Sequence, residues 1–180
     1  GELLFTHFGL SGPVILSASS HMQQMEAGRY EIAIDLKPAL SIEQLDARLL
    51  RDFEKNKNRD FINSLGELLP RKIIPVAVAR STISPVEKCN HITKEQRRKF
   101  AELLKEMVFR VQDFRPISEA IVTCGGVSVK EVEPKTMASK KVKGLSFAGE
   151  VLDVDAYTGG FNLQIAFSTG WLCGKAFLGG

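Results

Sequence analysis

The sequence predicts a mixed fold, α+β in its general layout with an α/β-like C-terminal part, in which a helical middle separates two strand-bearing ends. Three observations predict it. Residues 30–37 alternate apolar and polar side chains with period two, as a half-buried strand does. Two capping-box patterns, Ser41 with Gln44 and Thr93 with Gln96, each open a stretch with apolar residues at helical spacing. After residue 108 the pattern changes to short apolar runs broken by Gly and Pro, ending in one long apolar segment at 161–177.

Taken in order, residues 3–8 read as a strand and residues 9–13 as a turn into a helix. Pro13 suits the first helical position, where its missing N–H would be unpaired anyway. Ile15, Ala18, Met22 and Met25 continue at helical spacing, and Glu26-Ala27-Gly28 breaks the pattern. Tyr30, Ile32, Ile34 and Leu36 then form the inward face of the period-two strand. Ile42, Leu45, Leu49, Leu50 and Phe53 mark a helix face behind the first capping box, and the charged run 51–59 ends it. Asn58 is placed to cap a second helix carrying Phe61, Ile62, Leu65, Leu68 and Leu69, which Pro70 stops. In the apolar piece 73–79, Pro75 argues against a central strand. Phe100, Leu103, Leu104, Met107 and Val108 make the stripe behind the second box. Strands are expected at 108–114, 117–124, 127–132 and 145–148. The segment 161–177 reads as a helix apolar almost all round, which predicts burial between layers. Its Ala166, Gly170 and Gly174 form one bald ridge four residues apart, open to close approach by a sheet.

Composition narrows the function. The chain has 180 residues, 44% hydrophobic and 25% charged, with a net charge of +3. So mild a balance predicts neither a nucleic-acid nor a membrane partner. Cys89, Cys124 and Cys173 are scattered and odd in number, which argues against a disulfide framework or zinc site and for a reducing, cytoplasmic setting. His7, His21 and His91 have no metal-ligand spacing. No apolar run reaches the length of a membrane span, and there is no signal-peptide pattern. The abrupt start on a strand-like run without Met reads as a piece of a longer protein.

The residues with chemical interest lie late in the chain. Gly149-Glu150 follows an apolar run; the glycine admits a ligand to the backbone and the carboxylate can accept hydrogen bonds from hydroxyls. Thr158-Gly159-Gly160-Phe161-Asn162 opens the last helix, so backbone N–H groups and the positive end of the helix dipole converge there, with Asn162 and Gln164 as side-chain donors. Gly125-Gly126 follows another apolar run and permits close passage of backbone past a ligand or a tight turn. Each of these also fits an ordinary turn or helix cap. A Gly-x-Gly-x-x-Gly motif, which a complete dinucleotide-binding fold uses to hold a pyrophosphate, is absent from this sequence.

Three stretches together carry a resemblance: LLFTHFGLSGP at 3–13, TCGGVSVKEVEPKTMASK at 123–140 and GLSFAGEVLDVDAYTGGFNLQIAFSTG at 144–170. They are similar to the HI0933-like family of bacterial flavoproteins, some described as NAD(P)/FAD-dependent oxidoreductases and others as aminoacetone oxidase-like. The resemblance implies residues 1–39 as the end of a β-barrel-like insertion, 40–114 as a helical insertion with its return strand, and 115–180 as the C-terminal part of a Rossmann-like FAD-binding domain. It implies FAD as cofactor, with NAD(P)H as an electron donor and a small-molecule substrate. It also carries flavin contacts onto Gly149, Glu150, Thr158, Gly159, Gly160, Phe161, Asn162 and Gln164, beside Gly125 and Gly126. Catalysis on this reading is flavin-mediated hydride or electron transfer, with the N-terminal FAD-binding half as a required partner and dimerisation through bared apolar surface as an alternative fate. The competing expectation is a non-enzymatic module that binds a partner or nucleic acid through the basic middle, residues 88–99.

Overall fold

In the computed structural model, residues 1–178 are described; the last two residues of the expected C-terminal part, Gly179 and Gly180, lie outside the described residues. The chain divides into two compact units. Residues 27–112 form one, and residues 1–26 with those from 113 onward form the other.

The unit 27–112 builds its own core. Ser41 caps α2 (Ile42–Lys55) through a reciprocal box: its hydroxyl accepts from the Gln44 amide while the Gln44 side chain accepts from the Ser41 amide. Thr93 and Gln96 do the same for α5 (Lys94–Lys105). Leu45, Leu49 and Phe53 from α2 meet Phe100, Ala101 and Leu104 from α5 in a buried cluster. The rings of Phe53, Phe61 and Phe100 stack edge to face in series, with centroids 5.9 and 5.0 Å apart. Between these helices lie α3 (Phe61–Ser64), which tightens into a 3₁₀ turn, and α4 (Ile74–Arg80), where Pro75 sits in the first turn. Asp60, not Asn58, precedes α3, and its carboxylate takes Lys88 at 2.7 Å instead of capping. Strands β3 (Glu31–Ile34) and β4 (Met107–Arg110) pair antiparallel, so this part is helical with a two-stranded ribbon. The Lys55 hydrogen bond, then its charge, holds the Glu67 carboxyl below the usual range.

The other unit starts with a tight hairpin. The expected strand 3–8 is instead β1 (Leu4–Thr6), a turn at His7-Phe8, and β2 (Gly9–Ser11). Thr6 Oγ1 donates to the Gly9 carbonyl at 2.9 Å across the turn, a local bond that the apolar pattern does not announce. Helix α1 (Pro13–Ser19) begins on Pro13 as expected, but ends before Met22 and Met25. Residues 113–160 differ most from expectation. Residues 117–124 hold a single 3₁₀ turn, Ile117–Glu119, with Ile117 80% and Ile121 71% exposed. Residues 127–132 and 145–148 make only isolated bridges: Val127 with Leu152, Val132 with Ser139, and Ala138 with Ser146. The runs are apolar enough for strands, but a strand exists only where its backbone groups find a ladder partner. Their small core is Val132, Met137 and Leu152, with Phe147, Val154, Leu172 and Cys173 against it.

Helix α6 (Phe161–Leu178) closes this unit and matches the expected span. Burial between two layers is not met among the described residues, since none of the residues of α6 is fully buried, and the expected bared apolar surface is present. Ile165, Ala166, Thr169, Leu172 and Cys173 are half-buried on one face, while Phe167, Trp171 and Leu178 on the opposite face are 70%, 63% and 86% exposed. Gly170 and Gly174, the expected close-approach ridge, have open space where a Cβ would stand. Among the described residues nothing lies across that face to form the second layer. The described residues contain two two-stranded sheets and no closed barrel, and no helix long and apolar enough to cross a membrane.

Candidate functional site

The segments singled out by the sequence all lie in the unit that α6 closes, at different points along that helix. Gly126 leads the chain directly against the 151–153 backbone: the Val127 amide donates to the Val151 carbonyl at 2.8 Å and the Asp153 amide to the Val127 carbonyl at 2.9 Å. The pairing of Val127 with Leu152 is parallel. Asp153 Oδ1 also accepts the Gly125 amide at 3.1 Å. The Gly125-Gly126 pair therefore serves a close passage of chain against chain.

Gly149-Glu150 lies in a 3₁₀ turn, Gly149–Val151, that packs on α6. The Gly149 amide donates to Thr169 Oγ1 at 3.0 Å, and that hydroxyl donates in turn to the Ile165 carbonyl inside the helix. This fixes the turn beside the third turn of α6, midway along the helix, while Glu150 stays exposed. Gly149 has a φ of 77° and open space at its missing Cβ, so a ligand can reach the backbone there.

Ahead of α6, Gly159 and Gly160 take φ values of 122° and 89°, in a region that disfavours L side chains. The Gln164 amide bonds back to the Gly160 carbonyl at 3.0 Å, which makes Gly160 the residue preceding the helix proper. The amides of Phe161 to Leu163 thus have no carbonyl partner within the helix and face its start. Asn162 closes the loop from inside: it accepts from the Ala156 amide at 2.8 Å and donates to the Ala156 carbonyl at 2.7 Å. Gln164 turns away and donates to Ser168 on the helix surface at 3.0 Å. Asn162→Ala removes both bonds, so about 1–3 kcal/mol of loop stability should be lost. Faster hydrogen exchange at Ala156, with little change in global unfolding, is the expected readout.

Three contacts escape the sequence pattern. The Tyr157 hydroxyl and His21 Nε2 are 2.9 Å apart, and Thr158 Oγ1 lies 3.4 Å from the Ser17 hydroxyl and 3.5 Å from the Pro13 carbonyl. Helix α1 thereby holds the loop that carries the glycines. The partners are more than 130 residues apart, so no local pattern foretells them. His7 stands at the exposed hairpin tip against the Phe8 ring, Cys124 is an exposed free thiol, and no metal-binding cluster occurs among the described residues.

The basic middle looks different in three dimensions. Arg97 makes a two-pronged pair with Asp46 at 2.9 and 3.2 Å, Lys88 takes Asp60, Lys99 takes Glu95, and Arg98 takes Glu102 with Glu43 nearby. Most cations of residues 88–99 are thus spent within their own unit.

The sequence matches HI0933-like protein barrel and H2TH domain over residues 1–122. The chain belongs to the HI0933-like family. It is also 33% identical over 172 residues to a ribosomal RNA dihydrouridine synthase of Haemophilus influenzae, covering 96% of this chain and 41% of that protein. The corresponding Escherichia coli protein is 34% identical, covering 97% and 42%. A 3-dehydro-bile acid delta(4,6)-reductase of Clostridium scindens is 29% identical, covering 98% and 44%. The chain thus spans about two fifths of the length of these relatives.

Proposed function

We propose that this chain is part of an FAD-dependent reductase and that residues 145–170 supply the flavin-facing share of its Rossmann-like FAD-binding domain. The observation that carries the reading is the open backbone at two glycines against one helix: Gly149, held by its bond to Thr169 midway along α6, and Gly160, which leads into the start of that helix. The donor set fits: unpaired helix amides and open glycine backbone suit an electron-rich carbonyl edge or an anionic group. The parallel pairing of Val127 with Leu152 agrees with an edge of a parallel sheet.

When bound, the flavin supplies hydride chemistry at its N5 atom. The chain's part is to bind and orient. The amides at 161–163 would favour negative charge on the ring edge, Glu150 would accept hydrogen bonds from hydroxyls of a ribityl or ribose chain, and Asn162 keeps the loop in shape. Gly125 and Gly126 act one layer behind by letting residues 151–153 lie flat. NAD(P)H serves as electron donor. The remainder of the longer protein, its pyrophosphate-binding half, covers the exposed face of α6. Three free thiols suit a reducing cytoplasm.

The relatives' names define a substrate chemistry. Making dihydrouridine and reducing a bile acid at positions 4 and 6 both saturate a carbon–carbon double bond, and we assign this chain's protein the same reaction class. The test is the full-length protein purified and reconstituted with FAD. A bound-flavin absorbance between about 350 and 500 nm, bleached by NADH or NADPH, is expected. Protein that stays colourless after reconstitution overturns the reading. The non-enzymatic alternative loses its motive, since the cations of 88–99 that suggested it are mostly ion-paired.

A further inference from the structure

The net charge of +3 conceals two opposite balances. Residues 27–112 hold 17 basic and 12 acidic residues, a net of +5, whereas the rest of the chain holds 7 and 9, a net of −2. The excess in the helical unit is not spread evenly. At 88–99 the cations are largely paired. Around the C-terminal end of α2 and the turn before α4 they are not: Arg51, Lys57, Arg59, Arg71 and Lys72 are exposed and have no acidic partner within ion-pairing distance among the described residues.

Four of these, Arg51, Arg59, Arg71 and Lys72, are brought toward one junction by the fold. Lys55 bonds Glu67 at 2.7 Å, which ties the end of α2 to the turn that runs into Arg71 and Lys72. The Arg48 and Arg59 charges also act on the Glu67 carboxylate, so both lie near that junction. Arg51 falls on the same helix face as Arg48 and Lys55, three and four residues away. The acids of the region are already engaged: Asp52 by Arg48, Asp60 by Lys88 and Glu67 by Lys55, leaving Glu54 alone. Cations gathered at a surface without acids to answer them form an electrostatic footprint for a polyanion.

We propose that this face of the helical unit, centred on Arg59, Arg71 and Lys72, docks the phosphate backbone of an RNA that carries the base to be reduced. The inference rests on the reductase reading for the identity of the base. A backbone grip is sequence-independent and positions the strand, leaving selection of the base to the reaction site. It also reconciles the small net charge of the whole chain with a nucleic-acid substrate, because the field that matters belongs to one unit.

The experiment is fluorescence anisotropy of the full-length protein with a labelled RNA stem-loop bearing loop uridines, across a salt series. Binding should weaken with salt. The triple variant R59Q/R71Q/K72Q should bind about tenfold or more weakly, and its log–log salt slope should be shallower by about 2 on a single-strand scale of about 0.7 per phosphate contact. K130Q/K135Q/K143Q, which removes the same charge from the other unit, should bind as the parent does, and R59K/R71K, which leaves Lys72 in place, should retain binding. Unchanged circular dichroism in each variant confirms that the fold persists. Equal weakening by the control triple, absence of salt-dependent RNA binding, or equally tight binding to phosphatidylserine vesicles overturns the proposal. Binding is read without reference to the flavin band, so a yellow protein that ignores RNA sinks this inference alone. A colourless protein that binds RNA sinks the reductase reading instead.

Discussion

Phe61→Ala should unfold the helical unit more readily than any other single truncation in this chain, at a cost of about 3–5 kcal/mol. Phe61 is fully buried and is the middle ring of the Phe53–Phe61–Phe100 series, so its removal strips both edge-to-face partners at once. Its amide also bonds the Glu87 carbonyl at 2.8 Å, which pins α3 to the segment leading into α5. The cavity left behind cannot close by sliding α2 toward α5, because both helices are fixed at their starts by capping boxes and joined by the Arg97–Asp46 pair. Urea unfolding followed by far-ultraviolet circular dichroism should show a lower midpoint with a similar slope. A loss under 1 kcal/mol would mean that the unit repacks freely and that its core is not the close-packed cluster described.

That core was largely legible in the sequence, and the reason is physical. Each capping box is a local hydrogen-bond pattern read from residues three apart, and each apolar stripe is a local period, so α2 and α5 were placed by interactions that need no distant partner. The same holds for Pro13 at the start of α1. Failures began where the outcome depends on another segment. Residues 117–124 have strand composition yet lie open, because pairing partners decide strands. Asn58 looked like a cap, but Asp60 stands at that point and is held by Lys88, a residue 28 positions away. The apolar surround of α6 announced burial that one layer alone does not give. At the candidate site, the glycines and Asn162 were legible as a motif, while the Thr169 hydroxyl behind Gly149 and the grip of α1 through His21 and Ser17 were not. Both depend on the folded arrangement of distant segments. The charge asymmetry was hidden for a similar reason: the basic run that catches the eye at 97–99 is the neutralised one, and only ion pairs seen in three dimensions show it.

Gly126→Val should be the most damaging substitution in the other unit, and it separates structural from ligand-contacting glycines. A Cβ at Gly126 would stand 2.5 Å from the Val151 carbonyl oxygen and 3.2 Å from the Leu152 carbonyl carbon, both backbone atoms that cannot swing aside. Its φ of 135° adds strain of order 1–3 kcal/mol for a β-branched residue. Relief requires residues 125–127 to withdraw, which breaks the Val127–Val151 and Asp153–Val127 bonds and uncovers Leu152, one of three buried residues in this small core. The expected result is loss of the protease resistance of residues 125–153 and, in the full-length protein, loss of the flavin band. Gly160→Ala makes the contrast. Open space surrounds its Cβ position, so it adds only the strain of a φ of 89° and places a methyl where the ligand backbone contact is proposed. It should leave protease resistance nearly intact while weakening flavin retention. If Gly126→Val keeps both properties, the 125–127 passage is not what shapes the 149–162 site. If Gly160→Ala keeps full flavin affinity, the helix start is a plain cap and the cofactor lies elsewhere.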